Sequence, residues 1–228
     1  MSEYQGETNL VIHCTQLDDP SLSQKERKRI VMEWCDFLKS NPTQFTELTF
    51  GTRMPQELFD AVCHQENLTR LNIKWGVYKD ISAIANLQKL NLLHIGSGAG
   101  VESIVPITQL KNLVGLSVEN FRKIPDYSPL SSMKGLESLS IEGDGLGPQY
   151  IQLDSLEFLK DLSQLRFFRL LTARLKSKDY TPVLALRNVE HLSLRSERNV
   201  KKIYEELVAL PKLKWGLLKE RPENYQKK

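Results

Sequence analysis

The chain repeats one short arrangement of apolar positions: an apolar residue, two variable residues, a second apolar residue, one variable residue and a third apolar residue. Alternation of this kind is typical of a strand with one buried face. Successive copies begin about 22–24 residues apart, with one interval of about 29. We predict a buried strand at each of these segments: Phe45/Leu48/Phe50, Leu68/Leu71/Ile73, Leu90/Leu93/Ile95, Leu113/Leu116/Val118, Leu136/Leu139/Ile141, Leu165/Phe168/Leu170 and Val189/Leu192/Leu194. A degenerate eighth copy is predicted at Leu213/Gly216/Leu218.

A second apolar series, with spacings of three residues, separates the predicted strands. Two of its copies are Ile81/Ile84/Leu87 and Ile104/Ile107/Leu110. Spacings of three predict one turn of 3₁₀ helix or a short α-helix on the other side of the sheet. A single copy cannot bury its apolar edge, so neighbouring copies must stack and leave one strand face exposed.

From about Thr43 to the C-terminus, these segments resemble the leucine-rich repeat family, and their layout is similar to the short 22-residue-type repeats of bacterial internalin-like proteins. The resemblance implies an α/β leucine-rich repeat solenoid, with a curved parallel sheet on the concave side and short helices and 3₁₀ turns on the convex side. It also implies a role in binding rather than catalysis. The family's usual asparagine, three residues after the last strand position, is replaced here, so the backbone hydrogen bonds that it supplies must be made otherwise. The replacing residues are Gly76, Gly98, Phe121, Asp144, Ala173 and Glu197.

The N-terminal part predicts longer elements than the repeats do. A strand is predicted at Leu10–Cys14, and a helix after it begins at Ser23, where Ser23 and Glu26 can form a capping box. Asn41–Pro42 ends this helix, and Pro55 opens a second one. The predicted organisation is a capping region over 1–66 that is continuous with the solenoid, repeats over 67–221 and a frayed tail over 222–228.

The one long interval between repeats contains the glycine-rich segment Gly143–Pro148. Insertions in repeat proteins fall in loops, often beside the working face. We therefore predict a protruding loop over Asp144–Gln152, followed by a helix near Ser155–Leu162.

Charge is distributed unevenly along the chain. The net charge is +3, but residues 166–228 carry 16 Lys and Arg against 7 Asp and Glu, a net +9. This asymmetry favours an acidic partner that docks near the C-terminal end, although solvated helix faces and a lysine-rich tail also account for it.

Composition points to a cytoplasmic protein. No apolar run approaches the roughly 18 residues that a membrane span needs, and the polar, acidic N-terminus is unlike a signal peptide. The 3 cysteines are odd in number and irregularly spaced, which fits a reducing compartment.

The variable residues of each repeat strand are predicted to form the concave face, because side chains alternate along a strand. This face is small and acidic in the middle repeats, but large, basic and aromatic in the C-terminal ones. Aromatic and arginine residues are the usual anchors of protein interfaces. The predicted partner-binding residues are Phe167, Arg169, His191, Arg195, Trp215 and Lys219. The sequence leaves open whether the C-terminal segment covers Trp215.

No pattern of residues predicts catalysis or metal binding. The candidate metal ligands lack a CxxC spacing and fall on different predicted elements. They are His13, Cys14, Cys35, Cys63 and His64. The segment Gly96–Gly100 lacks the Lys-Ser/Thr of a phosphate loop. We therefore expect no enzyme activity, no metal and no cofactor, and the low net charge does not favour nucleic acid.

These observations predict a cytoplasmic, non-catalytic module that binds a protein on the concave sheet face near its basic end. Two alternatives stay open. One is an immunity or antitoxin-type inhibitor of a toxin protein, and the other is a structural assembly subunit that binds through the convex face. The sequence does not specify the oligomeric state.

Overall fold

The apolar repeat pattern corresponds to the buried side of the strands. The computed structural model describes residues 4–13, 21–145, 147 and 149–226, which divide into two compact units, 1–113 and 114–228. None of the positions in the seven repeated segments is more than 3% exposed. The strand phase predicted from the apolar pattern is therefore confirmed.

The first unit contains a parallel sheet in which equivalent repeat positions lie side by side. Its strands, in spatial order, are β1 (Asn9–Ile12), β2 (Glu47–Met54), β3 (Arg70–Gly76) and β4 (Leu92–Ile95). Leu48 lies opposite Leu71, and Leu71 lies opposite Leu93. The 3₁₀ turns Ser82–Asn86 and Val105–Gln109 follow β3 and β4, as the spacings of three predicted.

The N-terminal helices begin where the sequence indicates. Helix α1 covers Gln24–Ser40, and the backbone N–H of Glu26 donates to Ser23 Oγ while the N–H of Ser23 donates to the Glu26 carboxylate, so the capping box is confirmed. Helix α2 covers Gln56–Val62 directly after Pro55. The predicted first strand ends at Ile12, and its last predicted residue, Cys14, lies outside the described residues.

Gln65 joins α1 to the first repeat. Its side chain is fully buried, and Nε2 donates to the carbonyl oxygens of Leu38 at 2.7 Å and Asn41 at 3.0 Å. Oε1 accepts the backbone N–H of Phe45 at 3.2 Å. These bonds satisfy carbonyls at the end of α1 that lack a partner within the helix.

Asparagines from a different repeat position make lateral hydrogen bonds. Asn67, Asn112 and Asn188 each directly precede the first apolar residue of their repeat, and each Nδ2 donates to a main-chain carbonyl of the preceding repeat. The three distances are 3.0, 2.7 and 2.8 Å. These bonds join neighbouring repeats at the end of the strand opposite to the position of the missing asparagine.

The second unit continues the same arrangement within itself. Its parallel strands, in spatial order, are β5 (Gly115–Glu119), β6 (Ser138–Glu142), β8 (Phe167–Leu171) and β10 (His191–Leu194). Strand β7 (Ile151–Leu153) pairs with β9 (Ala173–Leu175) in a separate sheet. The remaining elements are the 3₁₀ turns Ser128–Ser132, Glu157–Asp161, Thr181–Ala185 and Pro222–Asn224, and the helices α3 (Arg198–Lys202), α4 (Tyr204–Val208) and α5 (Leu217–Glu220).

Aspartate side chains accept a hydrogen bond from the first residue of several 3₁₀ turns. In each case an aspartate carboxylate accepts the backbone N–H of the serine or threonine two residues later, at 2.8 or 2.9 Å. The pairs are Asp80/Ser82, Asp126/Ser128 and Asp179/Thr181. Sequence reasoning missed this motif, although the recurring Asp-apolar-Ser/Thr triplet carries it.

The long interval between repeats is more ordered than predicted. The loop prediction over Asp144–Gln152 is wrong at its end, because Ile151–Leu153 forms β7. The helix predicted near Ser155–Leu162 is a 3₁₀ turn at Glu157–Asp161. Gly143 lets the start of the insertion pass close to Thr172, which directly follows β8. A Cβ at Gly143 would lie 2.2 Å from the carbonyl oxygen of Thr172, so only glycine permits this approach.

The C-terminal end of the repeats also differs from the prediction. The eighth copy forms only an isolated bridge, between His191 and Trp215. Gly216 then takes a φ of +107°, and the chain enters α5 instead of continuing as a strand. The frayed tail predicted over 222–228 is wrong for residues 222–226, because Tyr225 is 2% exposed and its hydroxyl donates to the carbonyl oxygen of Leu194 at 2.6 Å.

Within the part of the chain that is described, no helix combines the length and the apolar character needed to cross a membrane.

Candidate functional site

Three rings form a row on the exposed sheet face of the second unit, the side of β5, β6, β8 and β10 that alternates with the buried positions. Phe167, His191 and Trp215 occupy the same register position in successive repeats. The Phe167 and His191 rings stack with centroids 4.1 Å apart at an interplanar angle of 7°. Trp215 meets His191 at 4.1 Å and 66°. Adjacent parallel strands are about 4.8 Å apart, so same-register side chains must touch.

A row of charged residues runs beside the rings, one position earlier in each repeat. Glu190 lies between Arg166 at 2.8 Å and Lys214 at 2.7 Å, and Arg166 also lies 3.9 Å from Glu137. Hydrogen bonds from Lys214 and Arg166 lower the pKa of the Glu190 carboxyl. Sequence reasoning missed this row, although its residues share one repeat phase.

The rings and the charged row line an open cleft with a volume of about 240 Å³, called the aromatic cleft below. Its lining residues are Glu137, Ser138, Arg166, Phe167, Glu190, His191 and Trp215. Trp215 is 50% exposed, so the C-terminal segment leaves half of this side chain accessible. The cleft therefore presents apolar area beside hydrogen-bonding charges.

His191 is a buried residue that supports the lining of the cleft, not an exposed contact residue. It is 7% exposed, which corrects the expectation that it faces solvent, and the reason is that Phe167 and Trp215 cover its ring. Ser193 Oγ lies 2.9 Å from His191 Nε2 and accepts the backbone N–H of Leu217 at 3.1 Å. The other ring nitrogen, Nδ1, is buried and has no hydrogen-bond partner within the described residues, which disfavours the protonated, charged ring.

Burial of His191 makes the protein's stability depend on pH. Burial, with a further contribution from Arg169, lowers the pKa of the imidazole, while Glu220 acts in the opposite direction. The unfolded chain, with a histidine pKa of about 6.5, therefore binds more protons than the folded one. This contribution to stability is complete above the unfolded pKa and is lost as pH falls towards the folded pKa.

We expect His191→Phe to reduce the loss of stability on acidification, because phenylalanine keeps the ring contacts and cannot be protonated. The measurement is the urea unfolding midpoint at about pH 7.5 and about pH 5.5. His64→Phe, at an exposed position, is the control and should keep the wild-type pH dependence. An equal shift of the midpoint in wild type and His191→Phe would contradict the prediction.

Arg169 is engaged within the protein. Its Nη2 lies 3.2 Å from Glu142 Oε2, and the other carboxylate oxygen, Oε1, accepts the hydroxyl of Ser140 at 2.8 Å. One acid of the predicted acidic middle, Glu142, thus compensates one arginine of the basic end. Arg169 remains half-buried beside the row of rings.

The remaining two predicted residues have other contacts. Arg195, directly after β10, places its guanidinium 4.4 Å from the ring centroid of Tyr150. Lys219 belongs to α5 rather than to a strand, because Gly216 ends the extended chain, and its Nζ donates to the carbonyl oxygen of Val208 at 3.0 Å. Of the predicted residues, the structure brings together Phe167, His191 and Trp215.

The two cysteines that the structure describes, Cys35 and Cys63, are buried rather than placed at a candidate site. Cys35 and Cys63 are buried free thiols, and burial raises the pKa of both, that of Cys35 to about 11. In the described ranges, no group of three or more His, Cys, Asp or Glu residues could hold a metal ion. The third cysteine, Cys14, lies outside those ranges.

Comparison with models of known protein families and with curated protein sequences finds no match. Comparison with solved structures does. The chain is similar to internalin C2 from Listeria monocytogenes, with 22% identity and a TM-score of 0.54, over 78% of this chain and 82% of the internalin. It is also similar to the plant peptide hormone receptor RGFR1, in complex with RGF2, with 14% identity and a TM-score of 0.51. That match covers 80% of this chain but only 29% of the receptor chain. Together with the parallel strands, the repeat phase and the 3₁₀ turns, these likenesses establish that the chain has the fold of the leucine-rich repeat proteins.

Proposed function

We propose that this chain is a protein-recognition module whose partner binds at the aromatic cleft. The observation that carries the proposal is the half-exposed Trp215, held against His191 beside the charged residues Arg166, Glu190 and Lys214. Interface hot spots are enriched in tryptophan and arginine that sit in formed pockets with a polar rim. The ring contacts keep Trp215 in one orientation, so less side-chain entropy is lost on binding.

The fold supports the same proposal by analogy only. The plant receptor with this fold is a peptide hormone receptor in complex with RGF2. A fold does not determine a function, so the case rests on the cleft. Inhibition of a toxin and assembly through the convex face stay predictions that no contact described here favours.

Catalysis is not part of the proposal. The lining of the aromatic cleft contains one serine and one histidine, but Ser138 and His191 lie on different strands at equivalent register positions, separated by Phe167. Among the described residues, the hydroxyl partner of His191 is Ser193, which is 3% exposed and already accepts a backbone N–H. Neither serine is placed as an activated nucleophile.

The chain offers a matched pair of tryptophans for testing the cleft. Trp215 is 50% exposed in the second unit, and Trp75 is 43% exposed in the first. We expect Trp215→Ala to weaken capture of the native partner from an extract of the source organism by about 10-fold or more, as removal of a hot-spot side chain does. Trp75→Ala should capture the partner as wild type does.

Capture is quantified by mass spectrometry with each variant immobilised at equal density. Both variants should first be shown to fold by circular dichroism and thermal unfolding, so that a loss of capture is not a loss of fold. If Trp215→Ala captured the partner as wild type does and Trp75→Ala did not, the binding surface would lie on the first unit instead.

A further inference from the structure

Two arginines share one tyrosine ring in the second unit, away from the aromatic cleft. The guanidinium carbon of Arg174 lies 4.9 Å from the centroid of Tyr150, and that of Arg195 lies 4.4 Å from the same centroid. None of the three residues lines the aromatic cleft. Both arginines are exposed, and Tyr150 is half-buried. Cation–π contacts of this kind hold each guanidinium in a fixed plane.

Three ordered elements create this cluster. Tyr150 directly precedes β7, Arg174 is the central residue of β9, and Arg195 directly follows β10. The pairing of β7 with β9 places Gln152 opposite Arg174, which brings the end of the insertion next to this arginine. The insertion therefore places Tyr150 beside two cations that the regular repeats supply.

Several carboxylates of this unit pair with other cations, and neither Arg174 nor Arg195 forms an ion pair within the described residues. Other arginines of this unit pair with a carboxylate: Arg122 with Asp144 at 3.5 Å, Arg166 with Glu190 at 2.8 Å and Arg169 with Glu142 at 3.2 Å. Asp154 pairs with Lys176 at 3.3 Å. Burial and the neighbouring Glu197 raise the pKa of the Tyr180 phenol, and Arg195 acts on the same phenol in the opposite direction. Arg174 and Arg195 make no ion pair among the described residues.

We propose that Tyr150, Arg174 and Arg195 form a binding site for a phosphate group that carries two negative charges. Two guanidinium groups on one ring repel each other, and a dianion compensates both at once, whereas a single carboxylate compensates one. The planar fork of arginine also matches the geometry of phosphate oxygens bidentately. The group can come from a phosphorylated side chain or from free phosphate, and the chemistry at the site is the same.

The first experiment titrates the full chain with inorganic phosphate and with N-acetyl-phosphoserine amide, by calorimetry at constant ionic strength. We expect one site in wild type with a Kd of roughly millimolar order. Arg174→Gln and Arg195→Gln should each weaken binding by about 10-fold, as loss of one charge-assisted pair does. Arg187→Gln, at an exposed position with no stacked ring, is the matched control and should bind as wild type does.

Two variants of Tyr150 separate the role of the aromatic ring from that of the phenol hydroxyl. Tyr150→Phe keeps the ring and should retain binding, whereas Tyr150→Leu removes the stacking surface and should weaken it several-fold. Binding of phosphoserine amide should also fall between about pH 7 and pH 5, because the second phosphate pKa is about 6 and arginine stays charged.

The two probes distinguish the sources. Phosphoserine amide that binds at least tenfold more tightly than inorganic phosphate indicates a phosphorylated protein segment, and equal affinity indicates free phosphate. No heat with either probe at about 20 mM, well above a millimolar Kd, would overturn the proposal. Equal affinity in wild type, Arg174→Gln and Arg195→Gln would overturn it as well. Neither result bears on the aromatic cleft, because that test uses Trp215.

Discussion

Replacing Leu93 with alanine should lower the free energy of unfolding by about 2–5 kcal/mol, because the substitution empties a fully packed core position. Leu93 is 2% exposed on β4, between Leu71 of the neighbouring strand and the apolar core of its own unit. The measurement is urea unfolding followed by circular dichroism. Contacts in a repeat protein run between neighbours, so the transition should also become less cooperative.

The adjacent residue provides the control for this prediction. Leu92 lies on the same strand but is 36% exposed, so Leu92→Ala removes the same atoms from the opposite face. We expect it to change the free energy of unfolding by no more than about 0.5 kcal/mol. Equal losses in the two variants would show that β4 is not buried on one face only.

Replacing Gly216 with alanine should cost about 2–4 kcal/mol, because a φ of +107° with a ψ of 173° is a conformation open to little but glycine. The added Cβ would also lie 2.3 Å from the carbonyl oxygen of Leu192, so the backbone must move. Since Trp215 precedes this residue, we expect the variant to disturb the row of rings, and the near-ultraviolet circular dichroism of Trp215 should change.

Gly135 is the matched control for Gly216. A Cβ at Gly135 would meet nothing within 4 Å, and its φ is not in the left-handed range. Gly135→Ala should therefore be neutral or slightly stabilising, since alanine reduces the entropy of the unfolded chain. A Gly216→Ala variant as stable as Gly135→Ala would mean that the chain can leave β10 by another path.

The regular part of the fold could be predicted from sequence because burial and strand alternation produce one pattern. Each apolar triplet fixes which side chains of its strand face the core, and the capping box at Ser23 fixes the start of α1. The separate sheet of β7 and β9 could not be predicted, because it depends on contacts across more than 20 residues that leave no periodicity in an insertion.

The repeat pattern predicted which site residues share a register position, but not which residues their side chains contact. The repeat phase correctly placed Phe167 and His191 side by side, since register carries over from one strand to the next. It could not show that Arg169 pairs with Glu142, that Arg195 stacks on Tyr150 or that Lys219 lies on a helix. Each of these depends on rotamers and on where the strand ends, which apolar spacing does not encode.

The lateral bonds of Asn67, Asn112 and Asn188 bear on the order in which the chain folds. Each joins residues 24 or 25 positions apart, and the pairing of regular strands closes loops of similar length. The entropy cost of closing a loop depends only weakly on its length, so it is nearly the same at each regular repeat. Loop closure therefore favours no regular repeat as the starting point, and the best-packed neighbouring pair sets where folding begins.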